Sequence, residues 1–440
     1  MKAQTVTDYA PTTPARHFHF IRADNALAPP LGWGQGEEQA RKAIGEALNA
    51  RNVAFLLGAG CSSLLVDGKE RGISTMAPLA KEFCSHPTGE LDDDFDLVVP
   101  PAWALDQSDV DFLAKLGARL DGTEYARNLE RLMELLHGLR FVFSRSDKPE
   151  HEGSRIKVEA IITKVQDFLW ERCTAGAFAH GDNSVLDIYE SFYRKLVMRD
   201  RSLPRPWVFT TNYDLFNERA MDRLGIPYAN GFSGVVERRF NPATFRYALA
   251  EQLDLSNRKW SAVDGFVYLC KVHGSISWTE DDHGLFPVRE TWPQDAPSKV
   301  MIFPTPAKQN SSLGSPYADL FREFQSKIVR EQSVLITAGF AFGDEHLNHI
   351  IYQALTIPTF RLIIFVDPDA GGEIAKLRKV NDPRIWIIGG DGPNDGTRAH
   401  YFSTIVEHFL PQRPTDRIND AVKLVLENLG RKKSGNEDEL

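Results

Sequence analysis

Short, continuous apolar runs recur in two separate parts of this chain, and each ends in small or polar residues. The first is Val53-Ala54-Phe55-Leu56-Leu57, which stops at Gly58. A strand buried on both faces reads this way, because every side chain meets apolar neighbours. Further strands are predicted at 207–210, 267–272, 300–303, 334–338, 362–366 and 385–388. Helical spacing fills the rest. Ala40, Ala43, Ile44, Ala47 and Leu48 share one face over residues 37–50. From about 70 to 205 the spacing turns helical throughout, as in Tyr125, Leu129, Leu132, Leu135 and Leu136, or Val158, Ile161, Ile162, Val165 and Phe168. Lys148-Pro149-Glu150-His151-Glu152-Gly153 is expected as an exposed loop within that stretch.

Punctuation supports this layout. Asp214 can cap the helix that follows it, and Gly225 with Pro227 stops that helix. Ser315-Pro316 supplies a cap and an N1 proline before a helix reaching 332. Asp344 and Glu345 open another helix, through Leu355. The pattern predicts an α/β fold, a Rossmann-like parallel sheet with a mostly helical insertion. Its expected parts are an N-terminal arm (1–35), a first part of the core (36–69), the insertion (70–205) and the remainder of the core (206–412). A C-terminal helix (413–430) and a disordered charged tail (431–440) complete it.

Composition narrows the partners. Of 440 residues, 42% are hydrophobic and 25% charged, with 51 basic and 60 acidic side chains for a net charge of -9. That balance speaks against direct nucleic-acid binding, which usually shows a basic excess. Cys61, Cys84, Cys173 and Cys270 form no C-x-x-C pair, so no zinc site is expected, and free thiols suit the cytoplasm. No apolar run has membrane-spanning length, and the N-terminus lacks a signal-peptide core.

Candidate chemistry sits at four strand ends, where open α/β sheets bind ligands. Gly58-Ala59-Gly60-Cys61-Ser62 can bring backbone amides close to a phosphate, with a helix dipole behind them, or can be a bare tight turn. Thr210-Thr211-Asn212-Tyr213-Asp214 offers the Asn212 carboxamide to a ribose hydroxyl or a water, while Asp214 serves as a cap. His273, before Gly274-Ser275, is a natural general base near neutral pH. In Gly339-Phe340-Ala341-Phe342-Gly343-Asp344, Gly339 and Phe340 can lie against a nucleotide; Phe342 suits the core and Asp344 an N-cap. Asp367 either takes adenosine ribose hydroxyls or starts a turn before Pro368.

Together these motifs resemble the sirtuin (SIR2) superfamily over roughly residues 50–410. The Gly-Ala-Gly-x-Ser turn matches 58–62, the Thr-x-Asn-x-Asp turn matches 210–214, and the His-Gly matches His273-Gly274. The Gly-Phe-Ala-Phe-Gly-Asp-Glu-His segment at 339–346 is similar to the zinc-less bacterial branch. The four-cysteine zinc module and the Gly-Ile-Pro-x-Phe-Arg segment of the deacylases are absent from the sequence.

The resemblance implies an NAD+ glycohydrolase of anti-phage defence that releases nicotinamide and ADP-ribose. Asn212 and His273 would be catalytic. Gly58, Ala59, Gly60, Ser62, Thr211, Asp214, Gly339, Phe340 and Asp367 would bind substrate. NAD+ would be consumed as substrate rather than recycled as cofactor, without zinc or another metal. The resemblance further implies a homo-oligomer and a HerA-like DNA-translocating ATPase as partner. The alternatives are a sirtuin-type deacylase or ADP-ribosyltransferase, and a non-catalytic nucleotide-sensing subunit. The helical insertion is expected to cover the pocket or to make subunit contacts.

Overall fold

A computed structural model describes residues 17–23, 31–66, 68–85, 101–122, 124–254, 259–280, 287–291 and 316–411. The strand expected at 300–303, the helix at 413–430 and the tail at 431–440 lie outside the described residues. The central sheet has eight strands: β1 (Phe18–Arg22), β2 (Asn52–Leu57), β3 (Trp207–Thr210), β4 (Tyr228–Ala229), β5 (Val267–Lys271), β6 (Ser333–Ala338), β7 (Arg361–Phe365) and β8 (Ile385–Gly390). Their order is β1-β8-β7-β6-β2-β3-β5-β4. All neighbours run parallel except β1, which pairs antiparallel with β8.

Alternation along each strand sorts one continuous apolar run into two cores. Val53, Phe55 and Leu57 of β2 point to one side with Val208, Ile336 and Ile363. Ala54 and Leu56 point to the other with Phe209, Leu335 and Leu362. Helices cover both faces, so neither set meets water. Against the first core pack α1 (Trp33–Ala47), α2 (Met76–Ser85), α3 (Gln107–Lys115), α4 (Leu129–Ser144), α5 (Pro149–Thr174), α6 (Ser184–Leu196) and α7 (Phe216–Leu224). Against the second pack α8 (Tyr317–Ile328), α9 (Glu345–Leu355) and α10 (Gly372–Val380). Each fully buried Leu, Ile, Val or Phe contributes about 1.5–3 kcal/mol relative to exposure.

The strand order explains where a ligand can enter. From β2 the chain builds β3 and then β5 on one side, and later returns to place β6 on the other. The turns after β2 and β6 therefore flank a topological switch point, where a crevice opens at the carboxyl ends of the strands. Helix punctuation behaves as expected. Gly225 ends α7 in the left-handed region at φ 63°, and the Asp344 carboxylate accepts the His346 and Leu347 amides at the start of α9.

Several expectations change. Residues 18–22, assigned to an irregular arm, form edge strand β1, with Phe18 buried against α1. No helix follows β2; a single 3-10 turn (Ala59–Cys61) leads into a hairpin, Ser63–Val66 with Lys69–Gly72. Gly68 follows its first strand and adopts φ 74°, the backbone conformation that tight hairpins favour. Residues 149–153 are not a loop but the start of α5, with Pro149 at the first helical position and Glu150 and Glu152 at the positive end of the dipole. Pro316 takes the cap position of α8, which ends at Ile328 rather than at 332; Ser315 lies outside the described residues. Among the described residues no helix is long and apolar enough to cross a membrane.

Candidate active site

The turns after β2, β3, β5 and β6 converge on one cavity of about 470 Å³, within the usual range for small-ligand sites. Backbone bonds stitch the turns together. The Thr211 amide donates to Leu57 O (3.1 Å), Val272 to Thr210 O (2.9 Å), Ile276 to Tyr213 O (3.0 Å) and Gly60 to Gly339 O (3.0 Å). Beneath them Lys271 is buried. Its ammonium donates to the Tyr213 carbonyl (3.2 Å), the Asp214 carbonyl and Ser275 Oγ (2.9 Å). It also pairs with buried Glu218 at 3.1 Å. Burial pushes the Glu218 carboxyl above its ordinary value, against the lowering effect of Lys271. This buried cation fixes the Asn212 turn relative to the His273 turn.

Asn212 and His273 both line the cavity, and both are almost wholly buried. The Asn212 Nδ2 donates to Gly58 O and to Ser62 Oγ, each at 2.9 Å. With both donors engaged, the carbonyl oxygen Oδ1 is what the side chain offers a ligand. The Ser62 hydroxyl in turn donates to Asp214 Oδ2 at 2.6 Å and lies 3.3 Å from the Tyr189 hydroxyl. Asp214 Oδ1 accepts the Phe216 amide at 3.1 Å, so Asp214 bonds the first residue of α7, although the cap position expected of it falls to Leu215. Ser62 and Asp214 thus orient Asn212, and the hydroxyl of Ser62 is committed to protein partners.

His273 Nε2 lies 2.8 Å from Asp344 Oδ2. In the tautomer with its proton on Nε2, His273 donates to Asp344 and Nδ1 is the ring's basic nitrogen. Asp344 was expected only as an N-cap. It performs that role through Oδ1 and holds the imidazole through Oδ2. No local sequence signal joins these two residues, which stand 71 positions apart.

The glycine turn differs from its expected role. Amides of Gly60, Cys61 and Ser62 already donate to the carbonyls of Gly339, Gly58 and Ala59. A Cβ at Gly58 would stand 2.4 Å from Gly339 O, and one at Gly60 2.9 Å from Gly339 Cα. These glycines let two turns touch backbone to backbone; a close approach to phosphate is not what requires them. Gly339 itself adopts φ 61°, and a Cβ there would meet Cys61 N at 2.5 Å. Ala59 is exposed at the cavity, and Gly60, Ser62, Thr211, Gly339 and Phe340 also line it. Gly58 does not; it is buried, its carbonyl held by Asn212. Phe342 belongs to the second core and packs on Phe340 with ring centroids 5.0 Å apart. Cys61 is a buried apolar filler, its thiol pushed well above the usual value by desolvation.

Asp367 stands apart. It is exposed, does not line the cavity, and accepts the Asp369 amide at 3.0 Å, which is the turn alternative. The insertion supplies the opposite wall: Thr75 and Met76 at the start of α2, Arg127 just before α4 and Glu130 in its first turn, and Leu169 and Cys173 of α5. Among the described residues, no group of three or more His, Cys, Asp or Glu could hold a metal ion.

No curated protein matches this chain. Residues 206–381, which carry Asn212, His273, Gly339 and Asp344, match the protein-family model described as the SIR2-like domain; this supports the SIR2 superfamily and a sirtuin-type, NAD-related function.

Proposed function

We propose that the protein is an NAD+ glycohydrolase that cleaves the nicotinamide–ribose bond to give nicotinamide and ADP-ribose. The observation that carries this reading is the pair of strand-end side chains on one cavity wall, the Asn212 carboxamide and the His273 imidazole backed by Asp344. Breaking the glycosidic bond sends its electron pair to the pyridine nitrogen, which leaves neutral and needs no acid. Positive charge develops on the ribose, where a carbonyl oxygen such as Asn212 Oδ1 can orient a ribose hydroxyl or the attacking water. The water's proton passes to His273 at Nδ1, the nitrogen that the Asp344 bond leaves basic. In this reading NAD+ is the substrate and no zinc takes part. Ala59, Gly60, Thr211, Gly339 and Phe340 would bind it, with Ser62 and Asp214 as the support of Asn212.

The setting we propose follows the resemblance. It is a cytoplasmic homo-oligomer that depletes NAD+ in anti-phage defence, with a HerA-like ATPase as the partner that triggers it. The test is chromatography of products after incubating the purified protein with NAD+ alone, and again with the ATPase and DNA. Nicotinamide and ADP-ribose in equal amounts without any acceptor are expected. Turnover only with an acylated peptide would replace this reading by a deacylase, and no turnover under any condition by a nucleotide-sensing subunit.

A further inference from the structure

We infer that Arg127, on the helical insertion, is the residue that grips the ligand's phosphates. This rests on the reading of the cavity as a dinucleotide site. A dinucleotide brings a doubly charged pyrophosphate, and the cavity wall carries the carboxylates Asp214, Asp344 and Glu130. An anion cannot settle there without a cation or a set of amides aimed at it. The glycine turn is poorly equipped, since the amides of Gly60, Cys61 and Ser62 are engaged by protein carbonyls. Among the described residues Arg127 is the only lysine or arginine on the cavity wall. It is exposed. No described residue forms an ion pair or hydrogen bond with its side chain, in contrast to Lys271 below the site.

The surroundings favour the same ligand group. Thr75, just before the ten-residue helix α2, and Met76 and Ala77, which begin it, line the cavity too. The first amides of a helix lack intrahelical partners and carry the positive end of its dipole. A planar guanidinium binds two phosphate oxygens at once, which a point charge cannot do. Chemistry is thereby assigned to the sheet and phosphate recognition to the insertion.

The experiment uses the full chain. Arg127→Ala should raise KM for NAD+ and the dissociation constant of ADP-ribose, measured by calorimetry, each by roughly tenfold to a hundredfold, the worth of a charge-assisted hydrogen bond. The kcat should change by no more than about twofold, because a ground-state contact is kept in the transition state. Arg127→Lys should restore part of the loss. Unchanged KM and ADP-ribose affinity in Arg127→Ala would overturn the inference, as would a fall in kcat at constant KM. Wild-type protein that leaves NAD+ intact and does not bind ADP-ribose would instead overturn the underlying function, a result seen before any variant is made.

Discussion

The two walls of the cavity are built on different terms. The sheet wall is buried and crowded with bonds: Asn212, Ser62, Asp214, His273 and Asp344 each hold at least one side-chain partner. The helical wall presents apolar Met76 and Leu169 with the exposed cation Arg127. Groups that must act at a reacting atom gain from a scaffold that fixes them within a fraction of an ångström. A wall that only recognises and covers substrate gains from being able to move. The contrast teaches that side-chain bonding is concentrated at the strand ends, while the insertion contributes apolar surface and an exposed cation.

The sharpest way to break this contrast is to remove the proposed chemical groups. His273→Ala and Asn212→Ala should each lower nicotinamide release by about a hundredfold or more, while circular dichroism shows the fold retained and melting falls only by the cost of the lost buried hydrogen bonds. Turnover unchanged from wild type in both variants would reject the sheet wall as the seat of chemistry.

The next largest effect concerns stability. Lys271→Met leaves Glu218 buried without its cation, and breaking such a pair costs about 3–5 kcal/mol. Glu218 has a raised folded value, so its contribution is fully present below the ordinary carboxylate range and is lost as pH rises through the folded value. Without Lys271 that loss should deepen. Thermal melts should show the variant closest to wild type in acid and falling further behind toward neutral pH. A deficit independent of pH would show that the ammonium acts only through the carbonyls it binds.

Ser62→Ala should cost about 1–3 kcal/mol, because it strips partners from Asn212 Nδ2 and Asp214 Oδ2 inside the protein. Turnover should fall less than in Asn212→Ala, since the carboxamide remains and is only less well aimed. A loss in kcat/KM as deep as that of Asn212→Ala would make the serine a direct participant. Smallest of all, Asp367→Ala should change KM for NAD+ by less than about twofold, as expected for an exposed turn residue. A large rise in KM would extend the ligand site to the end of β7.

Much of the sheet could be read from the chain because a strand covered on both faces is apolar at every position. That holds nearly throughout β2, β3, β5, β6, β7 and β8, with buried polar exceptions such as Lys271 in β5 and Thr337 in β6. β1 escaped because Phe18 and Phe20 alternate with His17 and His19 over too short a stretch, beside glycines and prolines. The hairpin at 63–72 had a readable signal in Asp67-Gly68, overshadowed by the helical pattern that follows it. Asn212 and His273 stood out as polar residues after buried strands, and both reach the cavity. The second role of Asp344 was hidden, since a carboxylate that caps a helix uses one oxygen and nothing local tells where the other points. The glycines were recognised correctly as needing space, but their neighbour was another turn, which only tertiary structure places. Arg127 carries no motif; it stands out because no other lysine or arginine lies on that wall among the described residues.

The imidazole and its carboxylate come from strands on opposite flanks of β2, 71 residues apart in the chain. A ribosome making this protein therefore extrudes His273 well before Asp344. Throughout that interval the growing polypeptide has the imidazole without the acid that orients it. Under the function proposed above, the imidazole would lack its orienting acid until the far half of the sheet docks, so activity would arise only late in synthesis.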